Sequence, residues 1–308
     1  MKQLTVANKV SCIGVGLHTG SRVTLTLHPA SAGTGIVFRR LDISSERAFV
    51  PARHDAVSDT RLGTTLTNTF GVSVATVEHL MAALWGAGVD NVIAEVDGPE
   101  VPIMDGSSEP FTFMIECAGL KALPASRKIL RVMKTIEVHE GKSMARVIPN
   151  MEGDEGCVLD IEIDYDSEVI SRQLARYDFR DISFKQSLSR ARTFGFEHEV
   201  VALRKQGLAL GGSLDNAVVV GKTDILNKEG LRYRDEFVRH KALDCLGDLY
   251  LAGVQIDGCF TFVRPGHAIN NALLKALLAD ESAYVIARAG AAPRPDVVVA
   301  QDALAAYA

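Results

Sequence analysis

Apolar and polar positions along the chain follow two rhythms, and the switch between them marks out the elements. In SRVTLTLHP (21–29), TGIVFRRL (34–41) and GVSVATV (71–77) apolar residues alternate with polar ones, the period of half-buried strands. In TVEHLMAALWGAG (76–88), Val77, Leu80, Met81, Leu84 and Trp85 recur at helical spacing, and Gly86 and Gly88 are expected to stop that helix. NVIAEVDG (91–98) then reads as a buried strand. SSEPFTFMIECAGL (107–120) reads as a second helix with Ser108 at its N-cap and Pro110 in its first turn.

KALPASRK (121–128) has no periodicity, and a domain linker is expected at 123–128. Strand patterns resume in RKILRVMKTIEVHEG (127–141), KSMARVIP (142–149) and CVLDIEIDYD (157–166). SRARTFGF (189–196) and a glycine-broken apolar stretch through GLALGGSLDNAVVV (207–220) follow. A long helix in FVRHKALDCLGDLYLAG (237–253), a strand in CFTFVRPG (259–266) and a helix in NALLKALLAD (271–280) complete the pattern. Each half thus runs strands, a helix bearing a histidine, glycine, an apolar strand and a further helix. No residue-level repeat accompanies the parallel, so a solenoid is excluded. The expected fold class is α+β, with two related domains, each a sheet with helices packed on one face, and an active site where they meet. The expected boundaries are 1–122 for an N-terminal domain carrying Glu78 and His79, and 129–280 for a C-terminal domain with an apolar insert at 194–219. Residues 281–308 are expected to be a tail without an assigned function.

Winding the long helix at about 100° per residue puts Leu243, Leu246, Leu249 and Tyr250 on one broad apolar side. His240, Asp244, Asp248 and Lys241 then share a remaining arc of about 100°. Residues four apart stack on a helix, so an imidazole and a carboxylate there could grip one metal ion; the same row could equally face water. On the first helix Glu78 and His79 lie off the apolar stripe. The two helices together offer His79, His240 and Asp244, an inventory that suits zinc or iron(II) with a position left open for water. A structural zinc site would be closed by four ligands, usually including thiolates, so the inferred chemistry is hydrolytic.

Composition narrows the class. Over 308 residues, 47% hydrophobic and 23% charged content fit a soluble globular protein. A net charge of −5 weighs against a nucleic-acid partner, although Arg127, Lys128 and Arg131 could form a local basic patch. Five scattered cysteines without a C-x-x-C pair indicate neither a disulfide framework nor a thiolate zinc ribbon, and fit a reducing compartment. MKQLTVANKVSCIGVGLHTG (1–20) lacks the apolar core of a signal peptide, and no apolar run is long enough to span a bilayer. The expectation is a cytoplasmic monomer with a small-molecule partner, no nucleic acid and no membrane span, with transient membrane contact left open. GVGLHTG is no nucleotide loop, because no G-K-[ST] follows it.

Six segments occur in order: GVGLHTG (14–20), TVEHLMAAL (76–84), DGPEVPIMDGSS (97–108), SRARTFGF (189–196), RHKALDCLGDL (239–249) and RPGHAIN (264–270). Together they closely resemble the UDP-3-O-acyl-N-acetylglucosamine deacetylases, the zinc amidases of lipid A biosynthesis in Gram-negative bacteria. H-x-x-x-D alone is a weak signal, but six ordered motifs over nearly the whole chain are specific, with no departure at the metal or catalytic positions. The resemblance implies His79, His240 and Asp244 as ligands of Zn²⁺, or of Fe²⁺ in the cell. It implies Glu78 as general base, His267 as general acid, Asp248 as the partner that keeps His267 charged, and Thr193 as an oxyanion donor. Lys241 would contact the substrate's polar head, Phe194 and the insert would enclose its fatty-acyl chain, and Leu17 and His18 would line the cleft. The implied reaction releases acetate and a free amine from UDP-3-O-acyl-N-acetylglucosamine, an early step of lipid A biosynthesis. Read without the resemblance, Lys241 could be a solvated charge, Thr193 and Phe194 a strand end and a core ring, and His267 or His18 a turn residue. A hydrolase of the same fold acting on another acetylated sugar, or a nucleotide-sugar-binding regulator without turnover, are the other readings.

Overall fold

Alternating segments form strands and helically periodic ones form helices in the computed structural model of the chain, which describes residues 1–44, 46–151 and 153–290. Strands β1 (Lys2–Val6), β2 (Val10–Val15), β3 (Arg22–Pro29), β4 (Ile36–Arg40), β5 (Phe49–Pro51), β6 (Val57–Asp59), β7 (Thr65–Thr67) and β8 (Ser73–Val74) lead into helix α1 (Glu78–Ala87). β9 (Val92–Val96) and α2 (Glu109–Ala118) follow, then β10 (Leu120–Ser126), β11 (Lys128–Val132), β12 (Ile136–Glu140), β13 (Ser143–Ile148), β14 (Cys157–Asp164) and β15 (Arg172–Asp178). A short helix α3 (Phe184–Ser187), β16 (Phe194–Phe196), α4 (Glu197–Lys205), β17 (Val218–Val220), α5 (Glu236–Leu249), β18 (Gln255–Val263), α6 (His267–Ala279) and β19 (Tyr284–Arg288) follow among the described residues. The protein is α+β.

The first half builds a five-stranded sheet in the order β2-β3-β9-β4-β5 and a small β6-β7-β8 sheet. The second builds a larger sheet, β12-β13-β18-β11-β19, in which β18 also pairs in parallel with β14, and β14 pairs antiparallel with β15. The long β18 serves both ends: Gln255–Asp257 pair with β11, and the residues beyond pair with β13 and β14. α1 packs on α2 and on α5, while α5 packs on α6 and on β14, and α6 on β12 and β13. No helix among the described residues is long and apolar enough to cross a membrane.

Several sequence expectations change at this level. Gly86 does not stop α1. The helix runs through it, glycine standing there for want of space, since a Cβ would overlap the Phe184 ring, and Gly88 ends the helix instead at φ 68°. Only Ser73–Val74 of GVSVATV is strand, since Thr76 takes φ 57° where the chain turns into α1. Ser108 stands at the N-cap position of α2 as expected, but its hydroxyl accepts no helix N–H; it donates to the His79 carbonyl at 2.7 Å and ties α2 to α1. The segment read as a linker is strand β10, paired antiparallel with β1 across a register shift. That irregularity accommodates Pro124, which lacks an N–H for a regular ladder. Arg127 and Arg131 form no free basic patch, being bonded to Asp90 and to Asp257 respectively. The tail region contains β19, which pairs with β11, while 291–308 lie outside the described residues.

Candidate metal and catalytic site

α1 and α5 are buried on nearly every side rather than amphipathic, and this converts the polar row of α5 from a water-facing strip into an interior cluster. In α5 only Arg239 and Lys241 escape full burial. Glycine makes the approach possible: a Cβ on Gly247 would overlap the Glu78 carbonyl oxygen. His79 from α1 and His240 from α5 meet edge to face at 4.9 Å, with Asp244 one turn further along. One ligand atom from each of the three residues lies within 4.8 Å of the others.

The hydrogen bonding orients these groups inward. The His240 Nδ1–H donates to the Ala191 carbonyl at 3.1 Å, which leaves Nε2 with its lone pair toward Asp244 Oδ1, 3.3 Å away. His79 Nε2 lies 3.6 Å from the same oxygen. Burial pushes the His240 imidazole down to about 4, so it is neutral and able to ligate. Burial alone would raise Asp244, but His240 and Lys241 hold it well below the usual carboxylate range. Its Oδ2 accepts from Lys241 Nζ at 2.8 Å, whereas among the described residues the buried Oδ1 has no hydrogen-bond donor and His79 Nδ1 no partner. An anionic oxygen buried between two imidazoles without a donor is what a cation site requires, so the residues present fit Zn²⁺ or Fe²⁺.

A second group adjoins the first. Glu78 stands at the start of α1, where Oε2 accepts the Thr64 N–H at 3.0 Å and Oε1 lies 3.9 Å from His267 Nε2. Burial raises its carboxyl above the ordinary range. His267 opens α6, and its Nδ1–H donates to Asp248 Oδ2 at 2.8 Å. Burial opposes its protonation, but the Asp248 carboxylate prevails, with help from Glu78, and lifts it to about 9. Asp248 also accepts from Asn270 Nδ2 at 2.8 Å and from the Thr64 hydroxyl at 2.6 Å. Both groups open onto one cavity of about 420 Å³.

A sequence model of the family described as UDP-3-O-acyl N-acetylglycosamine deacetylase matches residues 3–279. The chain belongs to that deacetylase family. It is 48% identical to the UDP-3-O-acyl-N-acetylglucosamine deacetylase of Pasteurella multocida (strain Pm70) over 286 residues, which cover 92% of each chain. The enzyme of that name from Neisseria meningitidis serogroup C (strain 053442) is 46% identical over 287 residues, again 92% of each, and that from Idiomarina loihiensis is 48% identical over 286.

The remaining residues singled out in this deacetylase-family chain divide between that cavity and an apolar neighbour of about 410 Å³. Leu17, Thr193 and Phe194 line both, Lys241 only the first and His18 only the second. Thr193 is fixed by main-chain bonds to Gly106 and Val218, each 2.8 Å, and Phe194 packs edge to face on Phe237. The apolar cavity is walled by Phe196, Val200, Leu203, Leu214 and Val219, from β16, α4, β17 and the loop between them.

Four supports escaped the sequence reading. Glu100, 1% exposed, accepts from the His18 and Thr19 N–H groups and from the Thr76 hydroxyl, joining the GVGLHTG loop to the start of α1. Arg192 and Glu236 form a buried ion pair that ties Thr193's neighbour to the first turn of α5. Asn270 sits three residues beyond His267 on α6, a spacing that could have revealed it. Thr64 lies in a loop whose sequence, RLGTT, carries no signal.

Proposed function

We propose that the protein hydrolyses the acetamide of UDP-3-O-acyl-N-acetylglucosamine, releasing acetate and a free amine for lipid A biosynthesis, and does so in the cytoplasm. The observation that carries this reading is Asp244 Oδ1, a buried anionic oxygen between two imidazoles and without a donor among the described residues, beside a carboxyl and an imidazole poised for opposite proton transfers. His79, His240 and Asp244 would hold Zn²⁺ or Fe²⁺. Such an ion supplies Lewis-acid polarisation of a carbonyl and acidification of water.

The protein's own groups then have separable tasks. Glu78, which lines the cavity with Oε1 3.9 Å from His267 Nε2, takes the proton of the attacking water; its raised carboxyl is a stronger base than an exposed one. His267 stays protonated at neutral pH because of Asp248, and gives its proton to the departing nitrogen, without which an amine is a poor leaving group. The Thr193 hydroxyl donates to the oxygen on which charge develops. Lys241 holds Asp244 and lies where it can meet the polar head of the substrate. The apolar cavity next to Phe194 takes the fatty-acyl chain, with 194–219 as an insert of the second domain and the site lying between the two domains.

The test is acetate release from UDP-3-O-acyl-N-acetylglucosamine, measured before and after chelation and again after Zn²⁺ is restored. Activity that disappears with the chelator and returns with the metal supports both reaction and cofactor. No acetate from metal-loaded protein would defeat the reading.

A further inference from the structure

Every polar group of Thr64 is committed to the two helices that carry the site. Its N–H donates to Glu78 Oε2 at 3.0 Å, and its hydroxyl donates to Asp248 Oδ1 at 2.6 Å. Its carbonyl accepts the Val77 N–H, at the threshold of α1, at 3.3 Å. Thr64 is 1% exposed, so water does not compete for these bonds. Glu78 and Asp248 lie on different helices and share no hydrogen bond with each other; Thr64 is bonded to both.

What each carboxylate would lose defines the role. Asp248 Oδ2 already receives His267 and Asn270, but the donor to Oδ1 is the Thr64 hydroxyl. Without that donor a buried anionic oxygen is stranded and the carboxylate can turn away from His267. Glu78 needs the same control, because pinning Oε2 on the Thr64 N–H is what turns Oε1 toward His267 Nε2. A close backbone keeps the loop in place: a Cβ on Gly63 would stand 3.0 Å from Glu78 Oε1. Threonine also suits the task by its branched Cβ, which restricts χ1 and aims the hydroxyl.

We infer that Thr64 is a positioning residue that sets the rotations of the Glu78 and Asp248 carboxylates together, and so holds base and acid in register. The inference rests on the roles proposed for Glu78 and His267. Thr64 touches no reacting atom itself; it acts through the two carboxylates.

The experiment is a kinetic cycle on the full-length, zinc-loaded protein with UDP-3-O-acyl-N-acetylglucosamine. Thr64→Val keeps shape and N–H but removes the hydroxyl, and is expected to lower kcat about tenfold or more while KM is unchanged. Thr64→Ser, which restores a hydroxyl, is expected to recover most of the loss. In an Asp248→Ala background, Thr64→Val should have no further effect, because the hydroxyl acts through the missing group. Wild-type kcat in Thr64→Val, no recovery with Ser, or full additivity with Asp248→Ala would each overturn the inference. Should Thr64→Val not fold, Thr64→Ala carries the same cycle. Glu78→Ala and His267→Ala are measured alongside. If they retain turnover, the proposed roles fail and the inference with them; if they are inactive while Thr64→Val is normal, the inference alone fails.

Discussion

Gly247 lies so close to Glu78 that the main chains of α5 and α1 touch, with no room for a Cβ between them. The base proposed for the reaction and the helix bearing two of the three proposed metal ligands are thereby held by a contact that only glycine permits. Gly247→Ala would gain about 1 kcal/mol in helix propensity. Overpacking costs about 1–3 kcal/mol, and here the obstacle is main chain, which cannot rotate aside. The steric loss should prevail, with a lower Tm and a loss of turnover larger than the loss of stability alone explains. Thermal unfolding and acetate release, measured on the same preparation, check this; normal values for both would mean that the helices can part without harm.

The pairing of His267 with Asp248 fixes a pH dependence. With its imidazolium favoured up to about 9, His267 stays protonated at neutral pH, and if it is the acid as proposed, kcat/KM should fall only as pH rises through that value. The sign follows from the role: an acid is lost when it deprotonates, so this is the basic limb. Asp248→Asn removes the anion, burial then dominates, and the limb should move to lower pH. A pH–rate profile of both proteins is decisive, and an unmoved limb would remove Asp248 from this role.

Metal binding and proton transfer should separate by mutation. His240→Ala deletes a proposed ligand, so bound zinc measured by elemental analysis should drop with activity. Glu78→Ala leaves all three proposed ligands, so zinc content should persist while kcat falls by about 10²–10⁴, the usual contribution of a general base. Loss of zinc from the Glu78 variant would instead make that carboxylate part of the metal site.

How much of this was legible in the sequence depends on whether a role follows from spacing. Helical winding collected His240, Asp244 and Asp248, because i, i+4 geometry is fixed before any packing occurs. The six ordered motifs carried the resemblance, and the family is now shown by the match over residues 3–279. Burial of that polar row was not legible, since it depends on α1 lying against Gly247, a contact between residues 169 positions apart (247 − 78). Gly86 was misread for a related reason: glycine in a helix signals a stop unless a partner such as Phe184 needs the space. Strand β10 was hidden by Pro124, whose poor fit to a strand is absorbed by an irregular pairing with β1. Thr64 acts through bonds from a loop, and loops have no period to read.

The apolar cavity yields the last prediction. Its walls at Phe196, Val200, Leu203 and Val219 offer an acyl chain a dry surface, and each buried methylene is worth about 0.8 kcal/mol. Shortening the substrate's chain by four carbons should therefore lower kcat/KM by about 10²-fold, provided those carbons lie inside. Ala217 lines this cavity and not the polar one, so Ala217→Trp should fill the passage while leaving Glu78, His267 and the ligands untouched. The variant should lose most of its activity on the long-chain substrate, keep its activity on a short-chain one, and show little dependence on chain length between them. Steady-state kinetics across a series of acyl lengths measures all three at once. A wild-type enzyme indifferent to chain length would mean that the cavity holds something other than the acyl group.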